Sequence, residues 1–372
     1  MRIAQIAPLT EAVPPKLYGG TERVISWLTE ALIEAGHDLT LFASGDSETR
    51  AKLEPVWPRA LRLDGSVCDA NALHMSMLES VAQRAAEFDL LHFHLDYYPF
   101  SLFSRLPVPF VTTMHGRLDL PEHQAVFRTF SSAPVVSISH SQRAPLPDAC
   151  WVGTVHHGAP ERLLMPTGKR PEYLAFLGRI SPEKGLPKAV EVARRCGLPL
   201  KIAAKVDKVD TDYFAAEIKP LLNGPDIEFV GEITDAEKSE FLSGAIALLT
   251  LIEWPEPFGL VMIEAMACGT PVIAFGRGAA PEIIDSGVTG FIVDDVAHAV
   301  AAVERLHALS RTRIRAAFEQ RFTSRRMAAD YAAIYRKLVQ APRSRIHRAL
   351  NGWSIRNGRP VASMQTQAAT EP

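Results

Sequence analysis

Glu256 and Glu264 bracket the apolar string Pro257-Phe258-Gly259-Leu260-Val261-Met262-Ile263. Pro257 disfavours a helical Glu256, which places that carboxylate in a strand-to-helix turn. The helix then begins near Gly259, holds Glu264 a little over one turn inside, and closes at Gly269. Amides at a helix start, beside a residue with no side chain, offer an anion a seat of phosphate size. The two carboxylates flank that seat at different depths instead of standing side by side as an acid/base pair. A βαβ unit with two merely solvated glutamates would show the same residue types, and types alone leave both readings open.

Three further groups could serve the same chemistry. In Gly178-Arg179-Ile180-Ser181-Pro182-Glu183-Lys184-Gly185 a guanidinium and an ammonium share a Gly/Pro loop, able to neutralise a diphosphate from two sides or simply to be a solvated turn. Tyr18-Gly19-Gly20-Thr21-Glu22-Arg23 follows an apolar run, and paired glycines let backbone pass close to a ligand at the mouth of a parallel sheet. The spacing is not G-x-G-x-x-G, so a nicotinamide dinucleotide is not indicated. His115 closes the run Val111-Thr112-Thr113-Met114, and His92, His94 and Asp96 close another. The His92/His94 alternation invites a metal, but no third ligand stands at a recognisable spacing.

These groups need strands to end where they begin. Arg2 to Pro8, Asp38 to Ser44, Leu90 to His94, Phe110 to Met114 and Val135 to Ser139 read as strands, with a helix over Thr21 to Ala35 whose Val24, Leu28, Ala31 and Leu32 share a stripe. The alternation restarts with strands at Tyr173 to Leu177, Leu200 to Ala204, Ile227 to Val230, Ala245 to Leu251 and Pro271 to Phe275, and helices at Leu186 to Cys196 and Leu260 to Cys268. Such alternation implies parallel sheets with right-handed crossovers. A last helix is expected over Ser324 to Val339, with Met327, Tyr331, Ile334, Tyr335 and Leu338 at helical spacing.

The chain has 372 residues, 40 Lys+Arg against 42 Asp+Glu, and a formal net charge of −2. That balance argues against a protein that coats nucleic acid. Four dispersed cysteines fit a reducing cytoplasm, and no apolar run reaches the roughly 18–20 residues of a membrane span or forms a secretory signal. After residue 340 five arginines face only Glu371; Ile346, Leu350 and Trp353 recur among them at helical spacing, a weak pattern for contact with a membrane surface, and a disordered tail is the preferred reading.

The string from Pro255 to Pro271 closely resembles the E-x7-E signature of the retaining glycosyltransferases of family 4, the glycogen-synthase-like GT-B enzymes. The likeness continues through Gly276-Arg277-Gly278-Ala279-Ala280-Pro281-Glu282 and Gly287-Val288-Thr289-Gly290-Phe291, and it spans essentially residues 1 to 340. It implies an α/β GT-B fold, two Rossmann-like βα domains facing across a cleft. The expected division is an acceptor domain over 1–160, a nucleotide-sugar domain over 161–322, a helix over 323–340 crossing back, and a basic tail over 341–372. By the same likeness Glu264 takes the ribose hydroxyls, Glu256 a sugar hydroxyl, and Arg179 with Lys184 the diphosphate. His115 stands by the donor sugar, while Gly19, Gly20 and the helix start at Phe258, Gly259 and Leu260 complete the phosphate cradle.

The expected activity is metal-independent, retaining transfer of a hexose from a nucleotide-diphosphate sugar, first UDP-glucose, to a hydroxyl of a glycan, lipid or small metabolite. No cofactor and no nucleic-acid partner are expected, and the expected location is the cytoplasm, with the tail as the one element that would touch the inner membrane face. A non-catalytic nucleotide-sugar binder, or another GT-B enzyme such as a phosphorylase or epimerase, is the rival reading. The linker His157-Gly158-Ala159-Pro160 departs from the family's usual N-G-V-D, which bears on hinge geometry more than on chemistry.

Overall fold

The computed structural model describes residues 1–16 and 19–341. Tyr18 of the Gly-Gly motif and the arginine-rich tail, with the membrane contact read from it, lie outside the described residues. Strands β1 (Arg2–Ile6), β2 (Asp38–Ser44), β3 (Lys52–Trp57), β4 (Leu90–Phe93), β5 (Phe110–Thr113), β6 (Val135–Ser137) and β7 (Trp151–Thr154) form a seven-stranded sheet in the order β3-β2-β1-β4-β5-β6-β7. Strands β8 (Tyr173–Ile180), β9 (Leu200–Val206), β10 (Ile227–Gly231), β11 (Ala245–Thr250), β12 (Val272–Phe275) and β13 (Gly290–Val293) form a six-stranded sheet in the order β10-β9-β8-β11-β12-β13. Neighbouring strands pair in parallel, as βα crossovers require.

The inner strands are buried on both faces, which explains their continuous apolar runs: every residue of β4, β5 and β12 is buried. The Gly20–Glu34 helix lays Val24, Leu28, Ala31 and Leu32 into the core. Its other neighbour is the Ser324–Gln340 helix, whose Met327, Tyr331, Ile334 and Tyr335 are buried against the first sheet, so the end of the described chain packs on the layer where the chain began. Two connections pass between the layers and are hydrogen-bonded to each other. The Ala159 amide donates to the Phe322 carbonyl at 2.9 Å, and the Ser324 amide donates to the Ala159 carbonyl at 2.8 Å. A Cβ on Gly158 would drive into the Thr323 carbonyl, so this crossing tolerates no side chain there.

Candidate active site

In each sheet one pair of neighbouring strands sends its connections to opposite sides, β1 with β4 and β8 with β11. Strand ends at such a switch point leave a crevice where ligands of this architecture bind. The sequence places its chemistry there. Gly19–Gly20 follow β1, His94 follows β4, Arg179 and Lys184 follow β8, and Glu256 to Gly259 follow β11. The loops after β1, β8 and β11, with His115 after β5, wall a cleft of about 220 Å³ that opens to solvent between the sheets. Each residue expected at the site, Gly19, Gly20, His115, Arg179, Lys184, Glu256, Phe258, Gly259, Leu260 and Glu264, lines it.

Two helix starts meet in this cleft. Gly19 caps the Gly20–Glu34 helix with no side-chain hydrogen bond to its first amides. Gly259, at φ 91°, caps the Leu260–Ala267 helix in the left-handed region that a glycine adopts without strain. A Cβ on Gly20 would touch the Leu260 side chain at 3.8 Å, which places the two amino ends close together. Both macrodipoles therefore present partial positive charge to one volume.

The charged side chains are held in pairs that sequence spacing does not reveal. Lys184 Nζ lies 2.7 Å from Glu256 Oε2 and 5.7 Å from the Trp254 ring centroid. Arg179 donates to Glu183 at 2.8 Å and lies 3.5 Å from Asp210. Burial would raise the Glu183 carboxyl, but hydrogen bonds from Ser181 and its own backbone amide, with the charges of Arg179 and Lys184, hold it below its ordinary range. Glu264 is almost fully buried and accepts from Lys238 Nζ at 2.7 Å. Burial alone would lower the Lys238 ammonium, yet the Glu264 carboxylate outweighs it and raises that group. Lys238 and Arg23 also line the cleft, although nothing in their sequence context gives either a role there. Each belongs to a charged helical stretch that looks like a solvated face. Arg23 pairs with Asp235, an ion pair joining the layers.

His115 is neutral at ordinary pH, since burial pushes its imidazole down to about 3. His92 and His94 are hydrogen-bonded through both ring nitrogens within the first layer, which leaves neither free to ligate. Among the described residues no group of three or more His, Cys, Asp or Glu could hold a metal ion. Gly278, which the sequence shows only as part of the family-like string, supports the turn at Glu256: at φ 56° it packs so tightly on the Glu256 backbone that a Cβ would collide with it.

Two parallel βα layers facing across a cationic cleft define a GT-B glycosyltransferase, which moves a sugar from an activated donor. Residues 166–323 match the family described as Glycosyl transferases group 1, and residues 18–152 match Glycosyltransferase Family 4. The chain belongs to the family 4 glycosyltransferases. It is 25% identical to the phosphatidyl-myo-inositol mannosyltransferase of Mycolicibacterium smegmatis, with 96% of each chain covered. It is also 25% identical to the N-acetyl-alpha-D-glucosaminyl L-malate synthase of Bacillus anthracis, over 85% of this chain and 93% of that one. Among solved structures, sucrose-phosphate synthase from Thermosynechococcus elongatus superposes with a TM-score of 0.76 at 20% identity, covering 92% of this chain and all of that one. Anabaena HepE in complex with UDP and glucose gives 0.70 at 18% identity, covering 91% and 100%. At such identities the structures speak for the fold alone. Among the described residues no helix is long and apolar enough to cross a membrane.

Proposed function

We propose that the protein transfers a hexose, with retention and without a metal, from a nucleotide-diphosphate sugar to a hydroxyl acceptor. The convergence of two open helix starts, Arg179 and Lys184 on one cleft carries this reading. The sugar–phosphate bond lengthens as negative charge builds on the departing diphosphate, and fixed cations and amides aimed at that charge lower the barrier. On donor binding Lys184 leaves Glu256 for the diphosphate, and Glu256 turns to a sugar hydroxyl. Glu264 takes the ribose hydroxyls while Lys238 neutralises it from behind. The acceptor hydroxyl attacks from the face that the diphosphate leaves, and a donor phosphate oxygen takes its proton.

UDP-glucose is the first donor proposed, supported by the solved complex of the fold neighbour HepE with UDP-glucose. The mannosyltransferase likeness over nearly the whole chain favours a mannosyl donor as the second reading. The acceptor class stays broad: a glycan, a lipid or a small metabolite. Incubating the protein separately with UDP-glucose, GDP-mannose and UDP-GlcNAc, across an acceptor panel, tests the proposal. Release of nucleoside diphosphate together with a glycosylated product supports it. Donor binding with no release under any acceptor would replace it with a nucleotide-sugar binding protein.

A further inference from the structure

Behind His115 lies a chain of buried polar groups that the transfer reading leaves unused. Gln5 on β1 accepts from His94 Nε2 at 2.7 Å through its Oε1, and its Nε2 donates to the Tyr335 hydroxyl at 3.5 Å. His94 Nδ1 in turn lies 2.8 Å from His115 Nε2. On the other branch the Tyr335 hydroxyl reaches His92 Nδ1 at 2.7 Å, and His92 Nε2 reaches the Thr113 hydroxyl at 2.7 Å. Among the described residues His115 Nδ1 is buried and has no hydrogen-bond partner.

We propose that Gln5 and His94 fix the tautomer of His115, a residue that lines the cleft, so that its Nδ1 is bare, an acceptor and never a donor. The argument is one of proton counting. A carboxamide oxygen only accepts, so His94 must carry its proton on Nε2. A neutral imidazole has a single ring proton, which leaves His94 Nδ1 bare. His115 then donates from Nε2, and its own proton is used. Burial holds both rings neutral, so neither nitrogen gains a second proton near pH 7. Gln5 and His94 are thus positioning residues. The inference rests on His115 standing beside the glycosyl group. It assigns His115 to accept a hydrogen from a sugar hydroxyl, and it leaves the charge on the leaving diphosphate entirely to Arg179, Lys184 and the helix amides.

Nitrogen-15 NMR of the histidine-labelled full chain reads the tautomer directly. The expected spectrum at pH 7 has a pyridine-type Nδ1 and a pyrrole-type Nε2 for His115; the reverse overturns the proposal, and this measurement needs no variant. Gln5→Leu should mix the tautomers and lower kcat about tenfold, the size of one misdirected hydrogen bond, while donor KM moves less than about twofold. A folded Gln5→Leu protein with wild-type kcat would equally overturn it. Wild-type turnover in His115→Ala would instead remove the placement of His115 beside the sugar, whatever the spectrum shows.

Discussion

Lys184 and Glu256 neutralise each other across 2.7 Å, so substituting either residue also changes the charge left on the other. Lys184→Ala removes a cation from the diphosphate seat and strands the Glu256 carboxylate there. Steady-state kinetics should show kcat/KM for the donor reduced by about 2–4 kcal/mol. Glu264→Ala should raise donor KM by the roughly 1–3 kcal/mol of a lost buried hydrogen bond, with a smaller effect on kcat. It also leaves Lys238 without its carboxylate, so Lys238→Met in the same background should recover part of any lost stability. If both single variants retain wild-type donor kinetics, the proposed roles fail although the fold stands. The two glutamates were legible from Pro257, Gly259 and their spacing, which place a turn and a helix start. Their lysine partners were not, because Lys184 lies 72 residues from Glu256 and Lys238 lies 26 from Glu264, separations fixed only by the sheet order.

Strands buried on both faces announce themselves as apolar runs, and β1, β2, β4 and β11 are legible within a residue or two. Strand β3, Lys52–Trp57, is not, because it is an edge strand with polar residues and a proline and no buried face. Strand β7, Trp151–Thr154, is hidden for the same reason: half-buried throughout, with a glycine in the middle. The turn between β11 and the Leu260–Ala267 helix depends on a residue outside it. Gly278 carries φ 56° and abuts the Glu256 backbone, so Gly278→Ala should shift that turn and cost about 1–3 kcal/mol of stability. A thermal melt and donor KM measured together check this: both should worsen, whereas Gly287→Ala, where a Cβ meets nothing within 4 Å, should leave KM unchanged.

The layers are joined by charge as well as by chain. Glu282, from the second layer, accepts from the amides of His140 and Ser141 at 2.8 and 2.7 Å and pairs with His156 at 3.0 Å. Glu282→Ala should lower stability by about 1–3 kcal/mol and speed limited proteolysis of the linker. Acid acts on the whole molecule through its buried imidazoles. Burial holds His92, His94 and His157 well below 6.5 and His115 at about 3. Below pH 6.5 the unfolded chain therefore binds protons that the folded one refuses, and stability falls as pH drops from there, by up to about 1.4 kcal/mol per unit for each such ring. Glu282, held low by His156 and the two amides against the opposing effect of burial, adds its own loss only below its ordinary 4.5. Denaturant titrations at stepped pH should find the decline beginning near 6.5; a flat profile down to 5 would contradict the neutral buried cluster.

The paired crossing at Ala159 and Thr323 limits how the halves can travel. A body tethered by one strand can swivel in any direction. Here two connecting segments lie side by side and share two backbone hydrogen bonds, so they act as the leaves of a single pin: opening and shutting about their common line stays cheap, while corkscrewing the halves past each other would tear that seam. The mouth of the cleft should thus widen and narrow along one arc, returning Arg179 and Lys184 to the same address opposite Gly19 and Gly20 at every stroke.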